Sequence, residues 1–524
     1  MTLIHLTMVD CPMKLLITRY SHHYEVTKHQ WMAPDIMRSF IKRFLHIATY
    51  RDRHGVLHEQ DRRVYAASNA KRSYYRLHIH TFDDFMKHLD QCGIVRSDIE
   101  IVDAPLYEGA NSNLRMLPHL TPKETQVPLI DFFLKPDPAI KLCKLQTGGG
   151  KTFCALSASA RLNKLFVLIV RPKYIQNWEV ALYGKERVTT VERDRVRIVQ
   201  GSKELTHLIG EAVDSNGQLP YDFIIISNRT YANFIDEYES EGDLTDSYGC
   251  NPVDFMQTVG AHCLLRDEVH LDFHLNFRID LYTHVPLSIS LSATFTSTDL
   301  VLSRLQCVQY PPETHAPAQT YNRYVHVRAL RYEINNVYTY RWNLRGRTDY
   351  NHIAFEQSLM KKAGSFSKWM NMVANVVQEE YVDRRLPGTR YIVTASSTAM
   401  VCAIADGLSE RFPHLQVATY IEGSDFLQVK ESDIVVTTVM SGTAAIDIKG
   451  LIGGLMTTSI GSETTNLQAV GRIRPLVQYP DVPLRFCYLY TADIPQSLKY
   501  HEAKVGLFQH RVLSHQTISL NTRI

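Results

Sequence analysis

Three short stretches hold residue types able to bind and cleave a phosphoanhydride. Thr147-Gly148-Gly149-Gly150-Lys151-Thr152 follows an apolar run over 139–145 and precedes a helix-forming run over 153–162. Consecutive glycines let backbone N–H groups close around phosphate oxygens, and the helix N-terminus adds its positive end. Lys151 suits the β/γ-phosphates and the Thr152 hydroxyl suits Mg²⁺. Asp267-Glu268-Val269-His270 follows the apolar run 263–265. One carboxylate there can hold a metal while its neighbour orients and deprotonates water. Gln468-Ala469-Val470-Gly471-Arg472-Ile473-Arg474 offers arginines for the charge that develops as a phosphoryl group transfers. A glycine turn before a helix, or an acidic pair alone, is commonplace. The strand–loop–lysine–helix context and the order along the chain are what point to nucleotide chemistry.

These stretches need strands and helices to position them. Short apolar runs at 165–170, 223–227 and 287–291 alternate with polar and helical segments, which predicts a parallel, doubly wound sheet. The rhythm returns at 391–394, 417–420, 433–437, 454–457 and 485–490. Between the two series lies a connector, 321–347, followed by helical patterns at 353–363 and 366–379. Over 320–350 six arginines face two acids, with Tyr338, Tyr340 and Trp342 interleaved. Arg341, Arg345 and Arg347 could pair with phosphates and the rings stack on bases; the alternative is a ribbon whose aromatics pack.

The expected fold class is α/β: two tandem parallel-sheet domains, 118–312 and 313–524, with a small α+β N-terminal accessory domain, 1–117. That first unit reads as a strand over 14–26, a helix over 35–47, extended segments at 63–67 and 74–80, a helix over 82–89 capped by Thr81, and a strand at 99–102. It is a candidate nucleic-acid domain or simply a solvated α+β unit.

Composition narrows the class. The 524 residues are 45% hydrophobic and 21% charged, which excludes bulk disorder. A formal charge of +3 is too small to imply a nucleic-acid partner by itself. No run reaches the ~18 apolar residues of a membrane span, and the N-terminus lacks a basic segment followed by an apolar one. Nine cysteines without a C-x-x-C pair suggest reduced thiols and no zinc framework. The expectation is a cytoplasmic protein without a membrane partner; protein partners are not indicated.

Taken in order, the motifs resemble those of superfamily 2 helicases. The glycine loop looks like their motif I, although Leu145 stands where a small residue is usual. Asp267–His270 looks like the DExH box, and Ser292-Ala293-Thr294 like the SAT motif. The segment 120–126 is similar to the Q-motif region, ending on Gln126. Arg171–Trp178 and 224–231 resemble the two backbone-gripping motifs of the first domain. Segments 391–397, 433–438, 442–447 and 468–474 resemble those of the second.

The resemblance implies two RecA-like domains and an ATP hydrolase with Mg²⁺. Gln126, Thr147, Gly148, Gly149, Gly150, Lys151 and Thr152 would hold ATP, and Thr152 with Asp267 the Mg²⁺. Lys151, Asp267, Glu268, Gln468, Arg472 and Arg474 would be catalytic. His270, Ser292, Thr294, Gly442 and Asp447 would couple the nucleotide to the strand. Arg171, Lys173, Asn228, Arg229, Thr230, Ser396 and Thr438 would grip nucleic acid. The family spaces its two motif VI arginines three positions apart. Here they are two apart, which makes Arg472 the expected finger.

The Gln-Asn-Trp form at 176–178 and the Asp-Glu-Val-His box look most like UvsW-type phage recombination helicases. That likeness implies a DNA partner, single-stranded, forked or branched, a role in replication or recombination, and a host cytoplasm. Motifs that hold backbone leave open an RNA helicase, a double-strand translocase that does not separate strands, and an ATP-gated clamp.

Overall fold

A computed structural model of the chain describes residues 15–27, 34–51, 57–68, 73–145, 148–293, 295, 299–317, 323–343, 350–421, 429, 431–439, 442 and 448–524. Residues 59–145 and 150–318 group with the N-terminal 49 residues in one compact unit, and residues 319–524 form a second. The α/β class with two parallel sheets and an N-terminal mixed sheet is the observed architecture.

The N-terminal sheet has five strands in the order β5-β6-β2-β1-β7. They are β1 (Leu15–Arg19), β2 (His23–Thr27), β5 (Ala67–Ser68), β6 (Tyr74–His78) and β7 (Ile99–Asp103). β1 and β7 are parallel and the other pairs antiparallel. The continuous strand expected over 14–26 is in fact a hairpin. The Tyr20 amide bonds the His23 carbonyl, and the period-2 pattern runs on through the turn. The helix expected over 35–47 spans Pro34–Ile41. It tightens to a 3₁₀ turn at Lys42–Phe44 and then enters β3 (Leu45–Arg51), which pairs with β4 (Leu57–Val64). Thr81 does precede the helix Phe82–Gln91, but its hydroxyl donates to the His78 carbonyl instead of capping that helix.

The first α/β sheet has the order β10-β11-β9-β12-β13-β8, all parallel. Its strands are β8 (Ile140–Lys144), β9 (Phe166–Val170), β10 (Val196–Val199), β11 (Phe223–Ser227), β12 (Cys263–Arg266) and β13 (Leu287–Ser292). Alternate side chains of each strand enter different cores. Phe166, Leu168, Ile225 and Leu265 pack on one face with Trp178 and Ile175. Val167, Ile169, Ile224 and Leu264 pack on the other. That second core also contains Leu15, Ile17, Tyr24, Val26 and Leu77, so the N-terminal sheet is continuous with it. Fully buried parallel strands of this kind read as unbroken apolar runs.

Polar bonds tie the same contact. Ser21 Oγ accepts from the Val285 amide at 2.9 Å, and Arg76 donates to Glu25 at 2.8 Å beneath the Tyr282 ring. Arg266, at the end of β12, has no solvent exposure; it bonds Asp280 at 2.8 Å and the Asn276 carbonyl at 2.9 Å. Asp280 also accepts from Gln309 at 2.5 Å and faces His78 at 3.6 Å.

The second unit is a seven-stranded parallel sheet, β16-β17-β15-β18-β19-β14-β20. Its strands are β14 (Val325–Glu333), β15 (Arg390–Ala395), β16 (Val417–Tyr420), β17 (Ile434–Thr438), β18 (Leu451–Met456), β19 (Leu484–Tyr490) and β20 (Ser514–Arg523). A third of the expected connector, Val325–Glu333, is therefore a strand inside this sheet. Arg328 on β14 is satisfied by Glu380 at 2.5 Å and Glu379 at 3.3 Å. No helix among the described residues is long and apolar enough to cross a membrane.

Asp280→Ala should destabilise the first unit by ~3–5 kcal/mol, because it strands a buried guanidinium. Denaturant unfolding checks this; a loss below ~1 kcal/mol would mean that water reaches Arg266. Burial also pushes His22 down to about 3 and His80 down to about 4 from 6.5. The unfolded chain then binds more protons than the folded one below 6.5, so these histidines favour folding above that pH. Their contribution should fade as the pH falls toward about 4, read as a falling melting temperature.

Candidate nucleotide site

Because the six strands of the first sheet are parallel, the loops after β8, β9, β11, β12 and β13 all emerge at one edge. Every motif of the first unit that resembles a helicase motif lies there, apart from Gln126. The loop after β8 leads into the helix Lys151–Leu162, with Gly148 at φ 83° and Gly150 at φ 90°. The left-handed backbone at 150 favours glycine, and a Cβ there would stand 2.2 Å from Gln126 Nε2 and displace that amide. Gln126 is buried, and its Oε1 accepts from the Lys123 amide at 2.9 Å.

Lys151 Nζ donates to Glu268 Oε1 at 3.1 Å. Glu268 has a left-handed backbone, φ 51°, an uncommon conformation that presents the carboxylate to the glycine loop. Its other oxygen lies 3.4 Å from His270 Nδ1, and His270 Nδ1 shares a 2.9 Å bond with Ser292 Oγ. The lysine, the carboxylate, the histidine and the β13 hydroxyl thus stand in a row, hydrogen-bonded at its two ends and in close approach at the Glu268–His270 step. Burial would raise the Glu268 carboxyl, but Lys151 and then His270 hold it below its usual range. Burial lowers His270 to about 4, which keeps it neutral near pH 7.

Asp267 is pushed up to about 6, first by burial and then by the adjacent Glu268 charge. Its Oδ2 accepts from Trp178 Nε1 at 3.1 Å and its Oδ1 from the Glu268 amide at 2.9 Å. Trp178 is fully buried and stacks on Phe223, so the indole is a fixed donor. The role of Trp178 was not read from the sequence, although its Gln-Asn-Trp context was. Thr152 follows Lys151 in the first turn of the helix.

One carboxylate and one hydroxyl beside a phosphate loop is the donor set Mg²⁺ takes when phosphates complete its shell. The described residues contain no cluster of three or more histidine, cysteine or carboxylate groups suited to an all-protein metal site. The residues present therefore fit a metal that arrives with its nucleotide.

The strand-gripping residues expected in this unit are placed unequally. Arg171 precedes the helix Pro172–Leu182 and is half-buried. It bonds Asp272 through Nε at 2.5 Å and Nη2 at 2.6 Å. Asn228 opens the helix Asn228–Glu241, is buried, and also donates to Asp272, at 2.9 Å. Arg229 is exposed, whereas Thr230 is buried with its hydroxyl accepting from the Gly201 amide at 2.8 Å. Lys173 lies over the Tyr174 ring.

In the second unit, the Ser396 amide after β15 donates to Glu356 Oε1 at 2.7 Å. The amide and hydroxyl of Ser397 both donate to Glu356 Oε2, at 2.8 and 2.6 Å. Glu356 is itself buried and was not foreseen. Thr438 ends β17, and Gly442 packs so closely that a Cβ there would stand 2.7 Å from Thr437 Cγ2. Gln468 is buried near the end of the helix Glu463–Val470. Ile473 is fully buried just beyond it, and Arg472 and Arg474 flank it half-buried.

Arg341 is exposed, its backbone amide bonding Ser358 Oγ. Among the aromatics of that stretch, Tyr340 is buried beneath Lys362 and Trp342 packs against the core. Tyr338 is 93% exposed. The expected Thr147, Thr294, Arg345, Arg347 and Asp447 lie outside the described residues.

No family model and no curated protein matches the chain. Solved structures similar to it include S. cerevisiae Dbp5 bound to RNA and ADP BeF3, 12% identical, TM-score 0.46, covering 76% of this chain and 90% of that one. T4 UvsW is 13% identical with TM-score 0.33, covering 97% of this chain and 100% of that one. A fragment of a putative HsdR subunit of a type I restriction enzyme from Vibrio vulnificus YJ016 is 13% identical with TM-score 0.49, covering 91% and 78%.

Proposed function

We propose that the chain is an ATP-driven nucleic-acid motor of the superfamily 2 type, with motor domains over 118–312 and 313–524, acting on DNA in the cytoplasm. The observation that carries the reading is the Lys151–Glu268–His270–Ser292 row beside a glycine loop that opens a helix.

ATP brings phosphate charge to the loop, and Lys151 Nζ moves from Glu268 to the phosphate oxygens. Glu268 then loses the neighbour that lowers its carboxyl most, becomes more basic, and accepts the proton of the attacking water. The change reaches Ser292 through His270. Mg²⁺, held by Thr152 and Asp267, would neutralise charge on the transferring phosphoryl group. Arg472 is the proposed finger for the charge that develops in the transfer, with Arg474 and Gln468 in the same motif.

Loops after β9 and β11, and after β15 and β17, hold the backbone of a strand. Their different affinities in different nucleotide states bias the direction of stepping. The likeness to UvsW-type enzymes makes forked or branched DNA in phage-type replication or recombination the preferred substrate. ATPase rates measured in parallel with single-stranded, forked and duplex DNA and with RNA test this. Unwinding of a forked duplex then separates strand separation from translocation alone.

Lys151→Ala should abolish nucleic-acid-stimulated ATPase; a near-wild-type rate would remove the glycine loop from the mechanism. Glu268→Gln should retain ATP binding while hydrolysis slows by ~10²–10⁴-fold. Loss of ATP affinity with rapid residual hydrolysis would instead assign the base elsewhere.

Arg472→Ala should slow turnover by ~10³-fold with a smaller effect on ATP binding. Arg474→Ala is the comparison. If Arg474 alone proves essential, the finger lies two positions further along.

A further inference from the structure

Asp272 stands five residues after Asp267 and two after His270, at the start of the helix Phe273–Asp280. Aspartate is a favoured N-cap, because its carboxylate can accept from the first free amides of its own helix. Here it makes no such bond. Instead it faces sideways across the sheet edge and collects three donors from two neighbouring loops. Arg171 Nε and Asn228 Nδ2 donate to Oδ2, at 2.5 and 2.9 Å, and Arg171 Nη2 donates to Oδ1 at 2.6 Å. Arg171 Nη2 also donates to the Leu271 carbonyl at 2.9 Å.

β9, β11 and β12 are adjacent strands, so this carboxylate staples together three successive helix starts. Asn228 Oδ1 is buried with no hydrogen-bond partner among the described residues, so the amide favours Asp272 at its own cost. The guanidinium is held by its Nε–Nη2 edge, and Nη1 makes none of these bonds. A fork–fork pair fixes the plane as well as the position of an arginine.

We infer that Asp272 is a positioning residue: it holds Arg171 with the Nη1 edge presented to a backbone phosphate, and it ties that grip to the loop carrying Glu268 and His270. The inference rests on the proposed function. The site chemistry does not need it, because Asp272 touches neither Lys151 nor Asp267.

The test measures ATPase against nucleic-acid concentration for the full-length wild type and for Asp272→Asn, Asp272→Glu and Asp272→Ala, with melting temperatures alongside. Asp272→Asn keeps the volume but puts an amide N–H against the guanidinium, and should raise the half-saturating concentration roughly tenfold. The maximal rate should fall by a smaller factor. Asp272→Glu keeps charge and bidentate reach, and should recover most of the loss. Two results overturn the inference alone: wild-type half-saturation in Asp272→Asn, or tighter binding in Asp272→Ala, which would make the carboxylate a shield over Arg171. An equal fall in melting temperature and maximal rate across all three variants would show a purely structural role. A wild-type ATPase that no nucleic acid stimulates would overturn the functional reading, and this inference with it.

Discussion

A guanidinium and a carboxylate that never meet water, Arg266 and Asp280, stand directly behind the loop that carries Asp267 and Glu268. Neither charge is tolerable alone in that environment, so β12, the helix Phe273–Asp280 and Gln309 are locked to one another. Asp267 follows Arg266 in the chain. The position of the acidic box is therefore set from below by a pair that takes no part in chemistry. The same carboxylate faces His78 of the N-terminal sheet, which makes that sheet part of the support for the site.

At the edge above, positive and negative groups are matched one to one. Lys151 faces Glu268, and Arg171 faces Asp272. Such pairing neutralises both cations at a half-buried edge. In the proposed function phosphate, with more charge and more acceptor oxygens than a carboxylate, takes Lys151 from Glu268. In the second unit Glu356 plays a comparable part for Ser396 and Ser397, holding the loop after β15 by its amides. In both units a carboxylate fixes a loop that leaves the sheet edge: half-buried Asp272 in the first and buried Glu356 in the second.

The apolar runs at 165–170, 223–227 and 391–394 were legible because a parallel strand covered on both faces has no polar side to confuse the pattern. β10, β14 and β20 were missed for the opposite reason. β20 is an edge strand with a polar, half-exposed sequence. β14 carries His326, Arg328 and Arg331, and the Glu380 that pairs with Arg328 belongs to a helix some fifty residues on. The turn at Tyr20–His22 interrupts a pattern whose period does not change, so no local signal marks it.

The sequence by itself supplied the glycine loop, its lysine and the adjacent carboxylates Asp267 and Glu268 as the groups on which the proposed chemistry rests. Backbone reach alone demands glycine beside a phosphate, and a catalytic pair needs neighbouring acids. It also determined two parallel sheets, since the alternation of apolar runs and helices permits little else. Only the tertiary structure decided which partner each charge has. Trp178 on Asp267 and Asp272 on Arg171 and Asn228 in the first unit, and Glu356 on Ser396 in the second, each join different elements that strand order brings together within one unit. The fusion of the N-terminal sheet with the first α/β core was likewise invisible in the chain. Burying an apolar face specifies that something must cover it and does not specify what; the complementary shapes of the two sheets, assembled in space, decide that.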